Sequence, residues 1–271
     1  MRPINVLVAA YAAIICAYIL GNFHYSLTTL YTLLVVVFYT GGANAFNDYC
    51  DYEIDLINRP NRPLSRGLIN SNEAFIFSIL MFFIGSLVAF LLPLKAMIVS
   101  IGIALPLMII YSLRLKGVPI IGNMVVSMIL GLSFIFFGFS HGKILPMIVP
   151  SFLAFGLTLL RELIKDIADI EGDKENNLKT LPIVIGEKRA IFVSYFLIFI
   201  IGSGSLMPYY FNIYGNYYLI LLILGVEVPL CIIIYYFMKL PAINSAKKSA
   251  NLLKFSIIAG LIAIFTDHYV S

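Results

Sequence analysis

The chain has 271 residues, of which 61% are hydrophobic and only 12% charged, with a mean hydropathy of +0.97. A soluble domain carries about a quarter charged residues, so this balance excludes an ordinary water-soluble enzyme and points to a membrane-embedded chain. Cys16, Cys50 and Cys231 are too few and too scattered for a disulfide framework or a zinc site, and the small net charge of +4 gives no sign of a nucleic-acid partner.

Nine apolar stretches approach the ~20 residues needed to cross a bilayer. They run over about 4–21, 27–47, 74–92, 95–112, 118–139, 145–163, 189–207, 216–238 and 251–268. The first is long and has no small-residue cleavage site, which argues against a cleavable signal peptide. Pro106 interrupts the fourth stretch and Pro229 the eighth; helices buried in a bundle tolerate such breaks. The expected fold is all-α: a polytopic membrane protein, one nine-transmembrane-helix bundle, with residues 1–271 forming a single integral membrane domain.

Basic residues test this count. With nine spans and the amino terminus inside, the inner side holds Arg2, then Arg59, Arg62 and Arg66, then Arg114 and Lys116. Arg161, Lys165, Lys174, Lys179, Lys188 and Arg189 follow, and Lys239, Lys247, Lys248 and Lys254 complete the set. Only Lys95 and Lys143 remain for the outer side. The positive-inside rule therefore predicts a cell-membrane protein with its amino terminus on the cytoplasmic side. His24, His141 and His268 fall at outer ends of spans, which tells against a histidine metal centre.

The aspartates of two triplets fall at the inner ends. The chain has only 14 acidic residues, yet the two triplets share one spacing: Asp48, Asp51 and Asp55, then Asp166, Asp169 and Asp173. Each runs i, i+3, i+7, which on a continuous helix falls within a ~60° arc. Asn44 joins the first face and Glu162 the second. Carboxylates at the edge of apolar segments are costly and repel one another where solvent screens poorly. A hard divalent cation relieves this, and Mg²⁺ usually binds one or two carboxylates together with substrate phosphates. The expected cofactor is Mg²⁺ and the expected ligand a diphosphate, whose developing charge the cations neutralise. Lys116, Arg114, Lys165, Arg59 and Arg62 are candidates to complete the cradle. Polar loops follow both triplets, at roughly 58–72 and 174–188, so the pattern of helix, triplet, loop and helix occurs twice.

These motifs resemble the UbiA superfamily of intramembrane prenyltransferases. Asn47-Asp48-x-x-Asp51-x-x-x-Asp55 is similar to its first aspartate-rich signature and Asp166-x-x-Asp169-x-x-x-Asp173 to its second. Tyr111-Ser-Leu-Arg-Leu-Lys116, followed by Pro119 and Gly122-Asn123, resembles the segment that carries a diphosphate-binding lysine. Within the superfamily, the stretch Asn47–Gly67, the stretch Arg161–Lys174, Lys179-Thr-Leu-Pro182 and the start Arg2-Pro3-x-Asn5 are similar to the archaeal digeranylgeranylglyceryl phosphate synthases.

The resemblance implies a Mg²⁺-dependent transfer of a geranylgeranyl group. The donor is geranylgeranyl diphosphate, and the acceptor is the hydroxyl of geranylgeranylglyceryl phosphate. The product carries the second ether-linked chain of archaeal membrane lipids. It assigns Asn47, Asp48, Asp51, Asp55, Asp166, Asp169 and Asp173 to the metal. Asp48, Asp51, Asp166, Asp169 and Lys116 carry catalysis. Asn44, Arg59, Arg62, Arg66, Tyr111, Arg114, Lys116 and Lys165 bind substrate, and Arg2, Arg62 and Arg66 are candidates for the acceptor phosphate. Tyr111, with Tyr49 or Tyr52, is a candidate to stabilise the allylic cation. The prenyl chain is expected in an apolar groove that opens to the lipid bilayer, and no obligatory protein partner is evident.

Three alternatives stand beside this. Aromatic acceptors of quinone-type biosynthesis would use the same acidic motifs. CDP-alcohol phosphotransferases need Asp-Gly-x-x-Ala-Arg, which is absent from this sequence. A cation transporter would place its carboxylates near the bilayer midplane, not at inner helix ends followed by basic loops.

Overall fold

The computed structural model describes residues 3–21, 26–58 and 60–270. Arg2, His24 and Arg59 lie outside the described residues.

Every long element among the described residues is a helix. Helix α1 spans Pro3–Ile19 and α2 spans Leu27–Cys50, followed by the short α3, Tyr52–Asn58. Next come α4 (Ser71–Ala89), α5 (Leu94–Leu115), α6 (Ile121–Ser140) and α7 (Leu145–Ala168). The short helices α8 (Ile170–Glu175) and α9 (Leu181–Ile185) precede α10 (Glu187–Tyr210). The chain ends with α11 (Asn216–Lys239) and α12 (Ala242–Val270). Eight of these are long and apolar enough to cross a membrane. Helix α1, with 17 residues, makes the ninth apolar segment expected from sequence. Helix α12 begins well before the expected 251, because Lys247 and Lys248 lie on its polar first two turns.

The two prolines do not end their helices. Each follows a wider, π-helical stretch: Ile98–Ala104 before Pro106, and Ile223–Glu227 before Pro229. At the junctions, the Leu105 amide donates to the Ser100 carbonyl and the Val228 amide to the Ile223 carbonyl. Both bonds reach back five residues. One extra residue per turn relieves the clash a proline ring makes with the preceding turn.

The chain divides into two compact units. The first comprises residues 1–115 and 132–147, the second 116–131 and 148–271. In the first, α2 and α4 pack closely through glycines. A Cβ on Gly42 would stand 2.9 Å from Phe82 Cδ1, and one on Gly85 only 2.6 Å from Tyr39 Cδ1. Tyr39 cannot easily yield, since its hydroxyl bonds the Ser86 hydroxyl at 2.9 Å and its ring meets Phe82 edge-on. Small residues permit such contacts where lipid offers no hydrophobic drive to association. Gly85→Ala is therefore expected to destabilise by about 1–3 kcal/mol through overpacking. Thermal unfolding in detergent should show a lower midpoint. Gly204→Ala, which meets nothing within 4 Å, serves as the unaffected control.

In the second unit, polar groups inside the spans find partners. Buried Asp267 accepts the Gly215 and Tyr218 amides at 2.8 and 3.1 Å. It thereby satisfies orphan donors at the start of α11. Glu227 bonds the Ser205 hydroxyl, and Gly202 gives it room.

Candidate active site

Each acidic triplet is built across two helices. Helix α2 ends at Cys50, and Asp51 takes φ −91°, ψ 6° before α3 begins. Helix α7 ends at Ala168, and Asp169 takes φ −105°, ψ 11° before α8 begins. The middle aspartate of each triplet thus sits at a helix junction in the sparsely populated bridge region, where active-site residues recur. This corrects the expectation of one continuous helical face. The turn-to-turn bonding survives, since Asp55 N reaches Asp51 O at 2.8 Å and Asp173 N reaches Asp169 O at 2.9 Å. The junction restarts the helix with acids in its first turn: Glu53 and Asp55 in α3, Glu171 and Asp173 in α8. Negative charge is favoured at that position by the helix dipole.

In the first unit, Arg62 supplies the charge that holds the cluster together. Its Nη1 donates to Asp48 Oδ1 at 3.1 Å and also to Asp55 Oδ2. Asp55 is only 5% exposed, as is Asp51, whose Oδ2 accepts Asn47 Nδ2 at 2.7 Å. Asn44 lies one turn earlier. Its Oδ1 accepts Asn5 Nδ2 at 3.4 Å, and its own Nδ2 is buried without a partner. Arg62 is delivered by a tight turn: Gly67, at φ +70°, bonds Leu64 O, and buried Leu64 anchors the loop. Arg66, on the same turn, is exposed.

Helix α5 brings Tyr111, half-buried, and Arg114, exposed. Tyr49 packs against Phe46 and Phe75, with ring centroids at 6.2 and 5.1 Å. Its ring is a packing element of α2 and α4. The first unit also contains a small cleft among α2, α5 and α6, lined by Val35, Tyr39, Val99, Met108, Leu132 and Phe136 among others.

In the second unit, Asp166 Oδ2 accepts Asn123 Nδ2 at 2.8 Å. Asn123 belongs to the Pro119–Asn123 segment singled out in the sequence, which gives it no role of its own. Asp169 is exposed and Asp173 half-buried. Burial holds the Asp173 carboxyl above the usual carboxylate range, and Asp169 pushes the same way, while Lys116 and Lys165 oppose them. Lys116 therefore lies within electrostatic reach of the second triplet. Lys165 also donates to Glu162 Oε2 at 2.7 Å, and Arg161 Nη1 donates to Glu162 Oε1 at 2.6 Å.

Among the described residues, no three His, Cys, Asp or Glu side chains converge as a self-sufficient metal cage. Arg62 between Asp48 and Asp55 shows where positive charge is wanted in the first cluster.

The chain matches the model of the UbiA prenyltransferase family over residues 6–258. It is 37% identical to a digeranylgeranylglyceryl phosphate synthase from Methanosphaera stadtmanae over 267 residues, covering 98% of this chain and 95% of that one. A solved structure of a digeranylgeranylglyceryl phosphate synthase in membranes superposes with a TM-score of 0.82 at 29% identity, covering 98% and 95% of the two chains. A UbiA homolog from Archaeoglobus fulgidus, solved with DMAPP and Mg²⁺ bound, shares the fold with a TM-score of 0.64 at 20% identity, covering 96% and 97%. With these matches spanning nearly its whole length, the chain belongs to the UbiA prenyltransferase family.

Proposed function

We propose that the chain transfers a geranylgeranyl group from geranylgeranyl diphosphate to the hydroxyl of geranylgeranylglyceryl phosphate, in a Mg²⁺-dependent reaction at the cytoplasmic face of the membrane. The observation that carries the chemistry is the pair of acidic triplets, each broken at its middle aspartate and each accompanied by a cation, Arg62 in one and Lys116 in the other. Similarity to the Methanosphaera synthase supports the acceptor. The Mg²⁺ and DMAPP bound to the Archaeoglobus homolog support the metal and the donor class.

Asn47, Asp48, Asp51 and Asp55 would hold metal in the first cluster, and Asp166, Asp169 and Asp173 in the second. When bound, Mg²⁺ supplies electrostatic stabilisation of the departing diphosphate. Arg62 in the first cluster and Lys116 in the second each add fixed positive charge, and Asn123 and Asn47 hold Asp166 and Asp51 in orientation. Tyr111 offers an aromatic face to the allylic cation. The apolar side chains that line the cleft of α2, α5 and α6 would meet the isoprenoid chain. The acceptor hydroxyl then forms the ether bond as diphosphate and a proton leave.

The test is purified protein assayed side by side with labelled geranylgeranyl diphosphate and either geranylgeranylglyceryl phosphate or an aromatic acid. Ether product with the glyceryl acceptor, and none with the aromatic one, is expected. The reverse outcome would transfer the chain to the aromatic branch.

A further inference from the structure

A second charged cluster lies one helical turn from the metal-binding carboxylates, on the span side of Asp166. Glu162, 8% exposed, is surrounded by cations. Its two oxygens each accept one, Arg161 on Oε1 and Lys165 on Oε2. Lys254, from α12, interacts electrostatically with the same carboxylate. Helices α7 and α12 approach closely further along, since a Cβ on Gly260 would stand 2.7 Å from Leu153 Cδ2. Asp166, one turn on, lies within electrostatic reach of Glu162 and Lys165, so three cations face two carboxylates and the cluster keeps net positive charge in a membrane-embedded bundle. Such charge is expensive there and marks a function by default. Arg161 is also incompletely used. Its Nη1 serves Glu162, yet its Nε is buried without a hydrogen-bond partner. The hydroxyls of Thr158, one turn before on α7, and Ser249, on α12, are likewise buried and unpartnered.

We propose that Arg161, Lys165 and Lys254 form the subsite for the phosphate monoester of the acceptor. This rests on the proposed reaction and adds to it the residues that recognise the acceptor. The charge matches in sign: a phosphate monoester is anionic near neutral pH, and the cluster keeps net positive charge. The donor set matches as well, because a guanidinium with free N–H edge, a lysine and hydroxyls are what phosphate oxygens accept from. The level also matches. The donor's diphosphate is held at the aspartates, so its first carbon lies on the span side of them, toward the lipid. The acceptor hydroxyl must reach that carbon, and in a glycerol phosphate the hydroxyl and phosphate are only a few bonds apart. A subsite about one helical turn, ~5 Å, from Asp166 toward the span places the phosphate where the attack needs it. Arg66, exposed on its loop, lacks such a setting.

The experiment measures KM for donor and acceptor separately, in wild type, Lys254→Gln, Arg161→Gln and Arg161→Lys. Lys254 is exposed, so its variant keeps the fold even where an Arg161 variant does not. Loss of a charge-assisted contact should raise the acceptor KM by about 10- to 100-fold, with the donor KM changed less than twofold. Arg161→Lys should recover part of the loss. A direct readout is the thermal shift given by geranylgeranylglyceryl phosphate in EDTA, present in wild type and reduced in both glutamine variants. A rise in donor KM instead would assign the cluster to the diphosphate and overturn the proposal, as would an unchanged acceptor KM and thermal shift in Lys254→Gln. Failure of the wild type to use the glyceryl acceptor would instead overturn the reaction itself, a distinct result.

Discussion

Asp51→Ala and Asp169→Ala are each expected to lower prenyl transfer by on the order of 10²–10³-fold at saturating Mg²⁺, the scale of removing one preorganised electrostatic contact to a developing charge. The two residues occupy equivalent junctions, between α2 and α3 and between α7 and α8. They differ in setting. Asp51 is 5% exposed and accepts Asn47, whereas Asp169 is exposed. Stability therefore separates them. Asp169→Ala should unfold within about 0.5 kcal/mol of wild type, as surface substitutions do. Asp51→Ala leaves the Asn47 amide with an unmet donor and should cost about 1–3 kcal/mol. Similar loss of turnover with unequal loss of stability identifies a shared chemical role. Near-normal turnover in both variants, measured with labelled donor in membranes, would remove the basis for a metal-assisted site at the triplets.

Arg62→Ala should move two quantities in opposite directions. Arg62 bridges Asp48 and Asp55, so in the absence of donor it competes with any cation for those oxygens. Removing a unit charge a few ångströms away should tighten binding of Mg²⁺ alone by about tenfold. The donor, however, loses a guanidinium contact, and its kcat/KM should fall about 10- to 100-fold. In EDTA the variant keeps two facing carboxylates without their counter-ion. A fully buried pair broken in this way costs roughly 3–5 kcal/mol. With 16% of the Arg62 side chain exposed, about 2 kcal/mol is the fitting scale. Mg²⁺ should restore that stability. Isothermal titration with Mg²⁺, beside thermal unfolding with and without EDTA, reads both effects. Weaker Mg²⁺ binding in Arg62→Ala would show that the arginine orients the carboxylates for metal and does not compete with it.

The triplets were legible because carboxylates are rare in this chain and their spacing repeats. The apolar spans were legible too, apart from the polar start of α12, since hydropathy is the dominant local signal in lipid. Local backbone geometry was not. Nothing in Asp-Tyr-Cys-Asp-Tyr or Asp-Ile-Ala-Asp-Ile announces a helix junction at the second aspartate, because neither glycine nor proline punctuates it. Pro106 and Pro229 were visible as irregularities, but the π-helical accommodation before each depends on which carbonyl the preceding amide can still reach. Tertiary partners were hidden for a different reason. Arg62 stands among several loop cations of equal appearance, and only the turn closed by Leu64 and Gly67 selects it. Asn123 pairs with Asp166 across 43 positions of sequence, a separation no local pattern encodes.

The most direct test of the account is transfer from labelled geranylgeranyl diphosphate to geranylgeranylglyceryl phosphate by EDTA-stripped purified protein, with and without added Mg²⁺. The account predicts no ether product in EDTA and full recovery on adding Mg²⁺. Product formed at an undiminished rate in EDTA would contradict it.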